Sequence, residues 1–277
     1  MANKFATDEV WCSPYEHDSV FNVSNSILTK DNLEIFNRYE VSLFCQQLVN
    51  PITGDVFDIQ KIFNEYIAYQ ENKFYGVDAT AAIGHIHLPK AMDSYCDAIW
   101  FSGHKFYTEK NIGCMWISDR LSKYLMLNKE KNNQYGLVHG TLDISGIQML
   151  SEALSWANNN ILDSIYVEYT TKCLTELTSL QFLSFRPYTT DRTRAINALY
   201  LPNCNADALQ TYLASKDIYV GVAHSACAGT EDYRVLKAMG FNQKIARQTI
   251  RISFAVDNVI NDIDILVKEI KKFKEMF

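Results

Sequence analysis

The sequence lacks several features that would assign it to common classes of protein. It has no apolar stretch long enough to span a bilayer, and its first residues lack the charged-then-apolar pattern of a signal peptide. It has no long basic run, and its net charge is −6, which argues against nucleic acid as the main partner. Internal repeats and low-complexity tracts are absent as well. We therefore expect neither a membrane protein, nor a nucleic-acid binder, nor a repeat array.

Cysteine pairs at metal-binding or redox spacing are also missing. The seven cysteines are an odd number, they are widely spread, and no two of them form a Cys-x-x-Cys pair. This usage is typical of a reducing compartment, with at least one free thiol, so we expect the cytoplasm or another reducing compartment. The 277 residues are 48% hydrophobic and 21% charged, which suits one or two globular domains with a buried core.

Strand and helix patterns alternate in the first half of the chain. Val41–Cys45 and Phe74–Val77 are predicted strands, and apolar residues at helical spacing predict a helix from about Asp55 to Gln70 between them. A crossover of this length implies parallel strands in a right-handed unit. Further strands at Asp97–Phe101 and Cys114–Ile117 extend the sheet, so the fold class is α/β.

The pattern changes in the second half. A long helical stretch runs from about Ser145 to Cys173, and a smaller α+β domain follows it. Its predicted elements are a strand at Ile196–Leu201, a helix at Ala206–Ala214 capped by Asn205, strands at Ile218–Val222 and Ile250–Phe254, and a C-terminal helix. We place the boundary near residue 158, which gives a large domain of residues 1–158 and a small domain of residues 159–277.

A lysine stands just beyond one of the predicted strands. The apolar run that ends at Phe101 breaks at a Ser-Gly pair, and His104 and Lys105 follow side by side. A lysine at a strand end lies where α/β proteins place their chemistry, and a desolvated lysine there could bond to a carbonyl group or to pyridoxal phosphate. A solvated loop lysine is the alternative. Asp78, a carboxylate at a second strand end, favours the chemical interpretation, although it could instead cap a helix.

Several motifs in one order resemble the class V aminotransferase family, and most of all its NifS/IscS-type cysteine desulfurases. The motifs are Val77–Gly84, Ser102–Tyr107, Ile112–Gly113, Ser225–Gly229, Val235–Gly240 and Ile250–Phe254. The resemblance implies a pyridoxal phosphate (PLP) fold of type I, with a mostly parallel sheet in the large domain and a smaller C-terminal α+β domain. It also implies an upstream segment with a loop for the cofactor phosphate, for which these residues show no counterpart.

The resemblance implies a role for residues around the cofactor. Lys105 would hold the cofactor covalently, and Asp78 would pair with its ring nitrogen. His17, in the pattern Glu-His-x-x-Val, would stack on the ring. The remaining cofactor-binding residues would be Ser102, His104, Asn50 and, from the partner chain of a homodimer, Thr141.

Two further residues would act on the substrate. Arg251 would hold the substrate carboxylate, and Cys227 would accept the sulfur as a persulfide, with His224 able to help lower the pKa of its thiol. Structural alternatives stay open: a surface residue for His17, a packed histidine for His104, a helix cap for Thr141, a surface ion pair for Arg251 and a buried thiol for Cys227. His85 and His87 alternate along one segment, but two ligands do not make a metal site, and none is predicted.

The resemblance thus implies a PLP-dependent cysteine desulfurase that takes sulfur from L-cysteine and releases L-alanine. Its partners would be L-cysteine, a second copy of the chain and a sulfur-acceptor protein such as an iron–sulfur scaffold. Another class V enzyme, an aminotransferase or a selenocysteine lyase, is one alternative. A non-catalytic paralogue that acts as a scaffold or partner subunit is the other.

Overall fold

The structure, a computed structural model, describes residues 10–24, 26–39, 42–68, 70–127, 134–137, 140–161, 163–177, 181–182, 189–224 and 233–276. The strands are β1 (Val10–Cys12), β2 (Ser26–Ile27), β3 (Ser42–Gln47), β4 (Asp55–Phe57), β5 (Lys73–Asp78), β6 (Ala98–Ser102), β7 (Gly113–Ile117), β8 (Gln181–Phe182), β9 (Thr189–Arg192), β10 (Ile196–Tyr200), β11 (Gly221–Val222) and β12 (Thr249–Ser253). The α-helices are α1 (Asp18–Phe21), α2 (Leu33–Arg38), α3 (Ile59–Tyr66), α4 (Asp119–Tyr124), α5 (Ile144–Asn159), α6 (Asp163–Glu176), α7 (Ala206–Ala214), α8 (Arg234–Ala238), α9 (Gln243–Ala246) and α10 (Ile260–Met276).

These elements form two compact units, and the chain passes between the units more than once. The first unit comprises Met1–Leu48 and Asp58–Ile161, and the second comprises Val49–Phe57 and Leu162–Phe277. The predicted boundary at residue 158 lies inside α5, whereas the division falls after Ile161. The short segment Val49–Phe57, which sequence order alone assigns to the large domain, belongs to the second unit.

A six-stranded sheet is the centre of the first unit. Its strand order is β2-β1-β3-β5-β6-β7, and every neighbouring pair is parallel except β6 and β7. The strands β3 and β5 are joined through α3, and a helix of this kind returns the chain to the start of a parallel neighbour. Every residue of β3 and β5 is buried, as expected for central strands covered on both faces. The predicted mostly parallel sheet is confirmed.

The amino end of β5 holds a buried lysine. The Lys73 side chain donates from Nζ to the carbonyl oxygens of Phe36 and Tyr39 and to Ser42 Oγ, and the residue is 2% exposed. A buried ammonium needs such partners to offset its lost hydration. These bonds connect the segment after α2 to the sheet.

The edge strand β7 differs from the inner strands because it is open to solvent. Met115 is 42% and Trp116 is 39% exposed, and Gly113 and Cys114 are exposed as well. Successive residues of a strand point to opposite faces, so both faces of β7 are uncovered. The strand has no charged residue and no proline. The first unit therefore ends in an uncharged, exposed sheet edge.

The second unit combines antiparallel strands with helices. Its main sheet has the order β11-β12-β10-β8, and β4 pairs with β9 in a separate two-stranded ladder. The helix α10 contacts both α6 and α7 and buries an apolar stripe that includes Ile263, Leu266 and Ile270. This is the predicted α+β arrangement. Among the described residues, no helix is long and apolar enough to cross a bilayer.

The predicted helix boundaries were wrong in two places. Residues 55–57 form β4 rather than the first turn of a helix, and α3 begins at Ile59, where the side chain of Asp58 accepts a hydrogen bond from the backbone N–H of Lys61. The predicted helix from Ser145 to Cys173 is two helices, because α5 ends at Asn159 and α6 begins at Asp163. The prediction of α7 with Asn205 as its cap is confirmed, since Asn205 Oδ1 accepts from two backbone N–H groups.

Candidate active site

Two neighbouring parallel strands end at the same edge of the first unit's sheet. Asp78 is the last residue of β5 and lies opposite Trp100 of β6, and the N–H of Ala79 donates to the carbonyl of Trp100 at 2.8 Å. Ser102 ends β6 two residues later. Because the two strands run in the same direction, Asp78 and the turn after Ser102 lie at one carboxyl edge, where α/β sheets bind ligands.

The turn after β6 presents two side chains between two buried residues. Gly103–Lys105 form a single 3-10 turn, closed by a hydrogen bond from Phe106 N to Gly103 O at 2.9 Å. Gly103 and Phe106 are buried, whereas His104 and Lys105 are exposed. A Cβ atom at Gly103 would lie 2.3 Å from Thr108 Oγ1 and 2.8 Å from Leu150 Cδ1, so a larger residue there would displace these side chains. The close packing of Gly103 fixes the turn that carries Lys105.

Ser102 and His104 form a pair on this turn. Ser102 Oγ lies 2.6 Å from His104 Nδ1. Partial burial, and then the charges of Lys105, Lys110 and His17, lower the pKa of His104. A hydroxyl, a histidine ring and a lysine within four successive positions, 102 to 105, give a set of donors that suits a phosphate group.

His17 reaches the same edge from β1. The strand β1 is parallel to β3, and its carboxyl end leads to His17, the residue that caps α1. The Nδ1 atom of His17 accepts from Ser19 N at 3.2 Å and lies 2.9 Å from Ser19 Oγ.

Asp78 is almost buried behind this edge. It is 8% exposed, and its Oδ1 accepts from Thr80 N at 2.8 Å in a turn rather than in a helix cap. Burial, followed by the charges of Glu16, Cys12 and Asp78, raises the pKa of the Cys45 thiol well above its usual value. Cys45 is therefore a protonated, unreactive thiol beneath the site.

His85, which the sequence did not predict as a site residue, is partly buried. Its Nδ1 atom is buried and has no hydrogen-bond partner in the described part of the chain. Burial, and then the charge of Lys105, lower the pKa of His85. The preceding residue, Gly84, has a φ of +78°, and a Cβ atom there would meet Phe106 Cβ at 3.3 Å.

Thr141 lies just before α5 and is exposed. The cap of α5 is Asp143, whose Oδ1 accepts from Gly146 N at 2.9 Å. The sequence left both threonine and aspartate open as the cap, and the structure assigns that task to Asp143. The Thr141 hydroxyl is therefore not used as the helix cap.

Asn50 and Arg251 come together in the second unit. Asn50 is fully buried, and its Oδ1 accepts from the N–H groups of Ile52 and Thr53 at 2.8 and 3.1 Å. Arg251 of β12 lies across Gly221 and donates from Nη1 to Pro51 O at 3.4 Å. Asn50 thus stabilises a turn of the second unit, whereas the prediction placed it in the large domain.

Cys227 and its motif lie outside the described residues. The description stops at His224, whose Nε2 lies 3.1 Å from both carboxylate oxygens of Asp207. Among the described residues, no group of three or more His, Cys, Asp or Glu could hold a metal ion. The described site residues therefore supply an amine, a nearly buried carboxylate, a hydroxyl and histidine rings, which are groups that can hold a phosphorylated organic cofactor.

A family model described as "Aminotransferase class-V" matches residues 18–266. The chain belongs to the class-V aminotransferase family. The match includes every predicted site residue except His17, which precedes it by one position.

Curated relatives from this family are named as cysteine desulfurases. A probable cysteine desulfurase of Borreliella burgdorferi is 26% identical over 271 residues, covering 89% of this chain and 61% of the relative. The cysteine desulfurase IscS of Shewanella frigidimarina is 26% identical over 273 residues, covering 95% of this chain and 66% of the relative. This class-V chain therefore spans a little under two thirds of the length of these relatives.

Solved structures show the same fold. A NifS-like protein from Rickettsia africae has a TM-score of 0.80 at 19% identity, covering 99% of this chain and 77% of the other. A second NifS-like protein has a TM-score of 0.79 at 20% identity, covering 97% and 75%. These neighbours confirm the predicted fold, a mixed α/β fold with a mostly parallel sheet that is similar to that of NifS-like proteins.

Proposed function

We propose that this class-V chain is a PLP-dependent cysteine desulfurase that moves the sulfur of L-cysteine onto Cys227. One observation carries the proposal: the exposed Lys105 turn and the nearly buried Asp78 end neighbouring parallel strands at one edge of the sheet. The names of the curated relatives support sulfur transfer as the reaction.

The residues at this edge fit the cofactor. Asp78 supplies a fixed, nearly buried carboxylate for the ring nitrogen, and Lys105 supplies an exposed amine for the aldehyde carbon. Ser102 and His104, already paired at 2.6 Å, offer donors for the phosphate, and His17 is the ring that would cover the cofactor. When bound, the cofactor would draw electrons away from the α-carbon of the substrate.

The chain's own groups would move the proton and hold the substrate. Lys105 would take the proton from the α-carbon of the substrate. Arg251 would bind the substrate carboxylate through its planar guanidinium. Asn50 would act through the turn that it stabilises beside Arg251. In a homodimer, Thr141 would serve the phosphate of the partner's site.

The sulfur transfer balances without an external oxidant. The Cys227 thiolate attacks the sulfur of the bound cysteine, a sulfur–sulfur bond forms, and the carbon–sulfur bond of the substrate breaks. The electron pair of the broken bond and one proton end on carbon. Cys227 and L-cysteine thus give a Cys227 persulfide and L-alanine, and a sulfur-acceptor protein such as an iron–sulfur scaffold would take the terminal sulfur.

The test combines a spectrum with mass spectrometry. Addition of PLP should produce a visible absorption band that Lys105→Ala abolishes, and L-cysteine should then add one sulfur to Cys227 and release alanine. The matched control is Cys114→Ser, which removes an exposed free cysteine of the first unit and should leave both results unchanged. Equal alanine release by a Cys227→Ala variant would sink the proposal.

One alternative is a subunit that keeps the fold and does not bind the cofactor alone. For this alternative, the protein would show no visible band at any PLP concentration. The same titration therefore separates the two functions.

A further inference from the structure

The residue two positions after Lys105 has an unusual backbone conformation. Tyr107 has a φ of +74°, in the left-handed region that favours glycine. A tyrosine is disfavoured there because its Cβ atom crowds the backbone. The intervening residue, Phe106, is fully buried, and its N–H donates to Gly103 O at 2.9 Å. The turn that carries Lys105 therefore leads into a backbone conformation that persists only when the surrounding structure holds it.

The helix α5 packs against this turn in the first unit. The ring of Trp156 lies edge-on to the ring of Tyr107, with the two centroids 5.2 Å apart and the planes at 83°. Leu150 of the same helix lies against Gly103. Perpendicular aromatic pairs attract each other because the positive edge of one ring meets the negative face of the other. The contact between Tyr107 and Trp156 therefore offsets part of the cost of the left-handed conformation.

This ring pair lies at the surface rather than in the core. Trp156 is 40% exposed and Tyr107 is 50% exposed. Rings that stay half open to solvent bury less apolar area than core rings, so they contribute less to the stability of the unit as a whole. Loss of the pair should therefore loosen the turn that carries Lys105 while the first unit stays folded.

We propose that Trp156 is a positioning residue for Lys105: through the ring of Tyr107 it holds the backbone after the lysine and so fixes the direction of the amine. This inference rests on the proposed function, in which the Lys105 nitrogen forms a double bond to the aldehyde carbon of PLP and the aldehyde oxygen leaves as water. Trp156 forms and breaks no bond in that step. Misplacement of a reacting atom by about 1 Å can slow a reaction on the order of a hundredfold.

The first experiment needs neither the cofactor nor activity. Hydrogen exchange of the Phe106 amide reports on the turn, since this N–H bonds to Gly103 O. Exchange should be faster by about threefold to tenfold in Trp156→Ala, the effect expected for loss of an aromatic pair. Trp156→Phe keeps a ring beside Tyr107 and should stay within about twofold of wild type. The matched control is Trp116→Ala, which removes a tryptophan of β7 that is 39% exposed and should leave the exchange unchanged.

The second experiment separates the bond to Lys105 from binding of the cofactor. At saturating PLP, the rate at which the Lys105-dependent visible band appears should fall by about threefold to tenfold in Trp156→Ala. Pyridoxamine phosphate carries an amine in place of the aldehyde and cannot bond to Lys105. Its affinity should stay within about twofold of wild type, because Asp78 and Ser102 are unchanged. A general structural defect would weaken both measurements.

A variant of Tyr107 tests the route from Trp156 to the turn. Glycine adopts the left-handed conformation without a cost from a Cβ atom, and it carries no ring. In a Tyr107→Gly background, Trp156→Ala should therefore change neither the Phe106 exchange nor the rate with PLP by more than about twofold. Equal effects of Trp156→Ala in the two backgrounds would show that Trp156 does not act through Tyr107.

The outcomes separate this inference from the proposed function. If wild-type protein gives no visible band with PLP, the proposed function fails, and the Phe106 exchange still tests the contact. The inference is overturned by unchanged exchange in Trp156→Ala, by an equal change in Trp156→Phe, or by a loss of affinity for pyridoxamine phosphate as large as the loss of rate. Should Trp156→Ala not fold, Trp156→Leu replaces it, because leucine keeps apolar bulk and offers no aromatic ring.

Discussion

Arg120 binds Asp97 through two nitrogens at the end of the sheet opposite the candidate site. Its Nε donates to Asp97 Oδ1 at 3.0 Å, and its Nη2 donates to Asp97 Oδ2 and to the carbonyl of Lys73. Asp97 also accepts from the backbone N–H of Tyr75 at 3.0 Å and from Ser118 Oγ at 2.9 Å. The carboxylate of Asp97, the residue before β6, thus connects β5 to the residues that lead into α4.

Asp97→Asn should destabilise the first unit. The side chain of Asp97 is 5% exposed, and asparagine would turn one acceptor into a donor that faces other donors. We expect a loss of about 2 to 3 kcal/mol in the free energy of unfolding, measured by urea titration. The control is Glu176→Gln, which breaks an exposed pair with Lys271, both side chains being nearly half exposed, and should cost less than about 1 kcal/mol. Equal losses in the two variants would contradict the role given to Asp97.

His85 should make the stability of the cofactor-free protein depend on pH. Burial, and then the charge of Lys105, lower the pKa of His85 below its ordinary value of 6.5. As the pH falls through 6.5, the unfolded chain binds this proton before the folded chain does, so stability decreases. Above that range the residue is neutral in both states, and below the folded pKa it is protonated in both. The contribution of His85 to stability therefore changes with pH only between its pKa in the folded chain and its pKa in the unfolded chain.

Urea titrations between pH 7 and pH 5 test this expectation. His85→Gln removes the proton-binding group. The free energy of unfolding of this variant should therefore fall less steeply with decreasing pH than that of the wild type. The matched control is His87→Gln, two residues along the same segment and exposed, which should retain the wild-type slope. Identical slopes in both variants would show that the ring of His85 does not lie in the environment described.

The open edge formed by β7 should promote self-association. Uncharged edge strands without proline are templates for pairing with other strands, and β7 also leaves apolar side chains uncovered on both faces. Met115→Lys should therefore raise the concentration at which the protein begins to associate, measured by light scattering. Val23→Lys, which changes a half-exposed residue outside the sheet, is the control and should have little effect. If the concentration at which association begins is unchanged in Met115→Lys, the protein associates through another surface.

Local signals in the sequence sufficed for much of the fold. The apolar runs of β3 and β5 and the helix-length crossover between them predicted a parallel sheet, and Asn205 predicted the start of α7. The short strand β4 was missed because its partner, β9, lies more than a hundred residues farther along the chain. The break between α5 and α6 was missed because Asn159 and Asn160 do not disturb the helical spacing of the apolar residues around them.

In the candidate site, too, local signals predicted some residues and missed those that depend on the tertiary fold. Asp78 and Lys105 could be placed at one edge because parallel strands carry their carboxyl ends together. His85 was missed, because the burial that lowers its pKa comes from the tertiary fold and has no signal in the local sequence. The bond between His224 and Asp207 joins residues from different elements, which no spacing rule connects.

The assignment of Val49–Phe57 to the second unit has a practical consequence for dissecting the protein. The polypeptide crosses between the units at three points, after Leu48, after Phe57 and after Ile161. A fragment that stops near residue 161 would keep β4 but lose β9, its ladder partner. Neither half can then be produced as one uninterrupted piece of chain, and a protease cut at residue 161 would leave two fragments that still share a strand pair.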